Sequence, residues 1–136
     1  MRYIFGLLMG LAVFAFAACG DGGCADPVDV AGEWEVTSTV VSDNCDGRVS
    51  QTFTMTITQD ANTLMAEVPE TTYTGTICGN QLQMTGSFSE DGGTVTVNGT
   101  FVVSEDGSSM EGSDDWTWTD GVESCSGSDS LSASRI

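Results

Sequence analysis

The sequence predicts an all-β domain: an eight-stranded antiparallel up-and-down meander closed into a barrel. Three observations predict it. From Gly32 onward, Thr and Ser alternate with Val, Ile, Met, Phe and Trp, the two-residue period of a half-buried sheet. No stretch past the amino-terminal apolar run carries a helical period. The connections between the alternating runs are all short, so strands adjacent in sequence pair antiparallel in space.

Each strand is bounded by turn residues. The first runs near 32–42 and ends at Asp43-Asn44-Cys45-Asp46-Gly47. The second, near 48–59, contains Thr52 to Thr58, in which one face is all Thr and the other all apolar. Asp60-Ala61-Asn62 leads to the third, near 63–69, and Pro69-Glu70 to the fourth, near 72–78. Gly79-Asn80 opens the fifth, near 81–88. Glu90-Asp91-Gly92-Gly93 precedes the sixth, near 94–103, where Thr94-Val95-Thr96-Val97 repeats the alternation. Glu105-Asp106-Gly107 leads to the seventh, near 109–119, and Asp120-Gly121 to the eighth, near 122–133. Gly-Ser and Gly-Thr pairs recur inside strands, at 75, 86, 99, 112 and 127, and are read as bends of a coiling sheet. Closure removes both sheet edges; an eight-stranded sandwich is the alternative.

The amino end has a different character. After Arg2, residues 4 to 18 are almost wholly apolar, interrupted by Gly6 and Gly10. These fifteen residues fall short of the roughly 20 that a spanning helix needs, and the pattern is that of a secretory signal peptide. Its exit, Phe16-Ala17-Ala18-Cys19, resembles the lipobox of bacterial lipoproteins, with Phe16 where Leu is usual. The resemblance implies cleavage after Ala18, diacylglycerol on the Cys19 thiol and an acyl chain such as palmitate on its new amino group. It implies anchorage in the cell envelope, and Gly20 in place of Asp favours the outer membrane. The division is then 1–18 signal-peptide helix, 19–31 polar lipid-anchored tether and 32–136 barrel.

Removing 18 residues leaves 118, one domain. That part has no Lys and no His; Arg48 and Arg135 are its strong bases, against 20 carboxylates in a chain of net charge −17. Nucleic acid is excluded as a partner, because phosphate binding needs Lys and Arg. The same charge repels anionic lipid heads, so any membrane association runs through the lipid on Cys19. Without His there is no Ser-His or Cys-His pair and no imidazole metal ligand. No carboxylate spacing singles out an acid and a base, so an enzyme is not expected. No cofactor is expected either. Asp43, Asp46 and Glu123 converge on one end, where calcium is conceivable, but no calcium-loop spacing accompanies them and no metal site is assigned.

With Cys19 lipidated, Cys24, Cys45, Cys78 and Cys125 form an even set in an oxidising compartment. Four cysteines allow three pairings, and strand parity selects among them. Cys24 and Cys78 fall at the lower end, Cys45 and Cys125 at the upper. The other pairings join opposite ends, roughly 20–30 Å apart, whereas a bridge needs α-carbons within about 7 Å. Cys24–Cys78 and Cys45–Cys125 are expected, and the second requires strands one and eight to be neighbours.

Gly32-Glu33-Trp34 on the first strand, with the hairpin Trp116-Thr117-Trp118-Thr119-Asp120-Gly121 before Cys125-Ser126-Gly127, resembles lipocalin-like, or calycin-type, barrels of bacterial lipoproteins. A second lipocalin signature, an Arg after Thr-Asp-Tyr, is absent. The resemblance implies a non-enzymatic domain with a structural or binding role, or alternatively a carrier of a small apolar ligand inside the barrel. Alternation points Trp34, Val36 and Val40 inward, then the apolar members of strands two to six, then Met110, Trp116 and Trp118. Asp114 shares the phase of the two tryptophans. Trp34, Phe53, Tyr73, Asp114, Trp116 and Trp118 are the candidate ligand-binding residues.

Overall fold

A computed structural model describes residues 24–136; Cys19 and the expected signal peptide and lipobox lie outside the described residues. Eight strands follow in order: β1 Gly32–Asp43, β2 Gln51–Asp60, β3 Thr63–Val68, β4 Thr71–Cys78, β5 Gln81–Glu90, β6 Gly93–Val103, β7 Ser109–Thr119 and β8 Ser124–Arg135. Each pairs with the next, and β8 returns to pair with β1, giving a closed barrel. The chain is thus an all-β antiparallel meander, with no helix among the described residues.

The tight turns have the chemistry that the twist of a two-residue hairpin needs, with left-handed backbone at Gly79 and at Asp91-Gly92. The β1–β8 seam joins Trp34 to Arg135 at one end and Asp43 to Gly127 at the other. Its register shifts once, between Val40 and Ser42. No other strand pair carries a shift, so the intrastrand glycines make no bulges. Two of them are recesses. A Cβ on Gly86 would stand 2.6 Å from the Tyr73 ring, and one on Gly127 would stand 2.5 Å from the Trp116 ring.

The inward faces expected from alternation are all buried or half-buried, from Trp34 on β1 to Trp118 on β7. β8 adds Asp129, Leu131 and Ala133. Most of the core, from Val30 and Trp34 to Met110 and Leu131, forms one apolar cluster. Val95, Val97 and Trp116 form a smaller one, and Tyr73 packs against both.

The lower end is sealed by the segment before β1. Cys24 bonds to Cys78, with Cα atoms 4.9 Å apart. The Val28 amide donates to Gly79 O (2.9 Å), and the Gly79 amide donates to Ala25 O (3.1 Å). Gln59 accepts from the Val30 amide (2.8 Å) and donates to Val28 O (3.1 Å). Val30 is fully buried. Residues 24–31, on the tether side of the expected boundary, are therefore packed as a plug. Trp34, also fully buried, donates its indole N–H to Val30 O (2.9 Å). Burying an indole removes about 150–250 Å² from water, worth roughly 4–6 kcal/mol. The Arg135 guanidinium lies 4.5 Å over the Trp34 ring and donates to Ala31 O (2.7 Å), Asp29 O (2.9 Å) and Gly107 O (3.2 Å).

Candidate functional site at the upper mouth

The upper end is built differently. The β1–β2 connection runs from Asn44 to Ser50, because β2 begins at Gln51 rather than near 48. Asp43 is the reason. Its carboxylate accepts from the amides of Cys45 (2.9 Å), Gly47 (2.8 Å) and Arg48 (2.7 Å). Those amides are gathered into a loop and withheld from a ladder. The Arg48 and Cys45 amides, in that order, hold the Asp43 carboxyl below its ordinary range. Asp43 thus serves the loop. Among the described residues no group of three or more acids and cysteines is placed to hold a metal ion.

The loop is also tied sideways. Cys45 bonds to Cys125, with Cα atoms 5.7 Å apart, so both bridges are the pairs that strand parity predicts. Asn44 exchanges bonds with the backbone of Ser126, donating its amide N–H to Ser126 O (3.1 Å) and accepting from the Ser126 amide (2.9 Å). This brings Arg48 over the barrel mouth. Its guanidinium carbon lies 4.5 Å from the centroid of the Trp116 ring. Its Nη2 stands 3.4 Å from Glu90 Oε2. That is within ion-pair range, but Nη2 is not aligned as a hydrogen-bond donor to any described group.

Around and beneath Arg48 lies a cleft of about 470 Å³, walled by Phe88, Glu90, Trp116, Trp118 and the Cys45–Cys125 bridge. Trp118 is fixed by its indole N–H, which donates to Glu90 O (2.7 Å). Asp43, Glu70, Asp91 and Glu123 stand around the rim, so Arg48 is the one basic group in an acidic mouth.

Deeper, Asp114 on β7 and Asp129 on β8 are direct cross-strand partners. Ser38 donates its hydroxyl to Asp129 Oδ2 (2.9 Å). Asp129 is 8% exposed, and its other oxygen has no partner among the described residues. Asp114 Oδ1 and Trp116 Nε1 likewise have none. Unpartnered buried polar atoms are rare in folded proteins, and each costs about 1–3 kcal/mol. Burial, and then the charge of Asp129, raise the Asp114 pKa to about 6. The Asp129 amide and the charge of Arg48 oppose that rise, and Asp115 adds to it. Burial and the charge of Asp114 push the Tyr73 hydroxyl up to about 12. Tyr73 is therefore a neutral hydroxyl in this group.

Of the six residues expected to line a site, Asp114, Trp116 and Trp118 come together at the upper end, with Tyr73 beside them at the junction of the two clusters. Trp34 sits in the lower seal, and Phe53 packs against the larger apolar cluster. Sequence reasoning did not reach Arg48, Ser38 and Asp129. A signal existed for each of them. Arg48 is one of two strong bases after residue 18, and serine at every second position from 124 to 134 turns Asp129 inward. Ser38 falls between Val36 and Val40 in the inward phase of β1, a signal of the same kind.

No protein-family model matches the chain, and no curated protein is significantly similar to it. The eight-stranded barrel is compatible with a lipocalin-like fold.

Proposed function

We propose that this protein is a lipid-anchored envelope lipoprotein whose barrel acts in binding, without catalysis, and seats a small ligand at its upper mouth. The observation that carries the reading is the contrast between a lower barrel filled by apolar side chains and an upper mouth where four buried polar atoms stand unpartnered. Two of the four, Arg48 Nη2 and Trp116 Nε1, belong to residues that line the concave, aromatic-walled cleft, and polar groups left unpaired in such a cleft are the usual apparatus of ligand orientation. Packing of the lower barrel favours this reading over a carrier that encloses an apolar molecule.

The anchor gives the mouth a direction. Cys19 precedes Cys24 by five residues, which span at most about 18 Å. Cys24 is bonded to the lower end. Lipid on Cys19 therefore brings the lower end near the membrane and leaves the cleft facing away from it, in the outer-membrane location that the lipobox and Gly20 favour.

Two measurements on protein extracted from the envelope test the proposal. Peptide mass spectrometry is expected to find a chain that starts at Cys19 and carries acyl groups; an unprocessed Met1 overturns the anchor. Native mass spectrometry of the same sample is expected to release a bound small molecule on gentle activation. The same molecule retained by a variant with the cleft blocked, G47W, at a cleft-lining glycine where a side chain meets nothing within 4 Å, would place it elsewhere and overturn the mouth.

A further inference from the structure

The mouth already holds a cation, and it belongs to the protein. The Arg48 guanidinium lies 4.5 Å over Trp116, beside Glu90. Cation over indole, with a carboxylate at the edge, is a recognition unit for organic cations. Yet Arg48 occupies it poorly: its Nη2 is buried without a hydrogen-bond acceptor, and it reaches Glu90 only at 3.4 Å. Below it, the free oxygens of Asp114 and Asp129 lack donors, and Asp129 is more than nine-tenths buried. Asp114 lies two positions before Trp116 on the inward phase of β7, with Asp129 its partner on β8, so these two carboxylate oxygens stand one inward position deeper than the ring that the guanidinium, with its five donors, covers. The loop explains the misfit. Asp43, Asn44 and the Cys45–Cys125 bridge fix its backbone, and the length of one side chain sets how deep the charge can reach.

We propose that the upper mouth is a binding site for a small organic cation, an amine or guanidine carried on an apolar or aromatic body, and that Arg48 is its tethered competitor. The ligand's charge takes the place of the guanidinium over Trp116 and donates to Asp114 and Asp129. Its body lies against Phe88 and Trp118. Arg48 swings out to the rim, where Glu70, Asp91 and Glu123 receive it. The choice of cation over anion rests on charge. One Arg faces Glu90 and four rim carboxylates, with Asp114 and Asp129 beneath. An anion able to use Arg48 and the Trp116 N–H would have to enter that field.

The inference rests on the mouth being a binding site, and the test separates the two claims. Purified full-length protein is titrated by calorimetry at pH 7.5 with three probes of one shape: 2-phenylethylamine, neutral 2-phenylethanol and anionic phenylacetate. The amine is expected to bind at least tenfold more tightly than either of the others. R48Q, which removes the competitor and keeps the loop, is expected to tighten amine binding about fivefold or more. D114N and D129N are expected to weaken it about tenfold, with folding checked by near-ultraviolet circular dichroism. Phenylacetate or phenylethanol binding best overturns the cation and leaves the mouth reading intact. Amine binding weakened in R48Q overturns the competitor. No binding of any probe to wild type or R48Q overturns the cation site, and the extraction experiment then decides the mouth reading alone.

Discussion

The barrel has an arginine over a tryptophan at each end, at the same 4.5 Å, and the two pairs do opposite things. At the lower end, Arg135 donates three hydrogen bonds to carbonyls, and Trp34 donates to Val30 O. Every contact there joins one part of the chain to another: β1, the segment before it, the β6–β7 connection and β8. At the upper end, Trp116 Nε1 and Arg48 Nη2 donate to nothing among the described residues. The same pair of side chains is a seal where its polar atoms are satisfied by backbone and a seat where they are not. Stacking geometry alone does not distinguish the two; the hydrogen-bond account does.

The comparison breaks first, if it is wrong, at the tryptophans. W34F should cost about 2–3 kcal/mol in urea denaturation, because it shrinks a fully buried ring and leaves Val30 O unpartnered. W116F should cost about 1 kcal/mol less than W34F, since it shrinks a ring that is also buried but removes an N–H that has no acceptor. Equal losses would mean that both ends are structural. Next in size is Gln59, which ties the plug through Val30, Val28 and Ala61. Q59A should cost about 1–2 kcal/mol and raise hydrogen exchange at Val28 and Val30 while leaving Arg48 and Trp116 unaffected. Simultaneous loosening of both ends would contradict their independence.

Asp114 supplies a smaller effect of defined sign. Its carboxyl is raised from 3.8 to about 6, so the folded state holds a proton that the unfolded chain has released. That contribution to stability is fully present below about pH 4 and lost as pH rises through about 6. D114N should therefore be more stable than wild type at pH 7 by on the order of 1 kcal/mol, a figure reduced for solvent screening at a partly exposed group. The gap should close as the pH falls to 4. A gap that widens on acidification would mean that ionised Asp114 is well paired.

The sequence announces the scaffold more readily than the site, for physical reasons that particular residues show. Thr52 to Thr58 alternates because β2 is apolar on one face and wet on the other, and the pleat converts that alternation directly into direction. The bridges were legible because a meander has only two ends. Arg48 was not. Arg48-Val49-Ser50 continues the alternation of β2, and nothing in that text says that Asp43 will withdraw the Arg48 amide from the ladder. Asp129 was hidden because half of its strand is serine, which marks the outward face, and few apolar residues mark the inward one. Sites depend on contacts between distant residues, such as Ser38 with Asp129, 91 positions apart, and alternation reports only the strand it is written on.

The most direct test of the two-ended account is paired denaturation of R48Q and R135Q at pH 7. The account predicts that R135Q loses on the order of 1 kcal/mol, through three abandoned carbonyls and an uncovered Trp34. R48Q should unfold at the wild-type midpoint, since its partly exposed ion pair is worth about 0–1 kcal/mol and its buried Nη2 costs a similar amount. A loss in R48Q as large as that in R135Q would show the upper arginine to be a second seal, and the seat at the mouth would have to be given up.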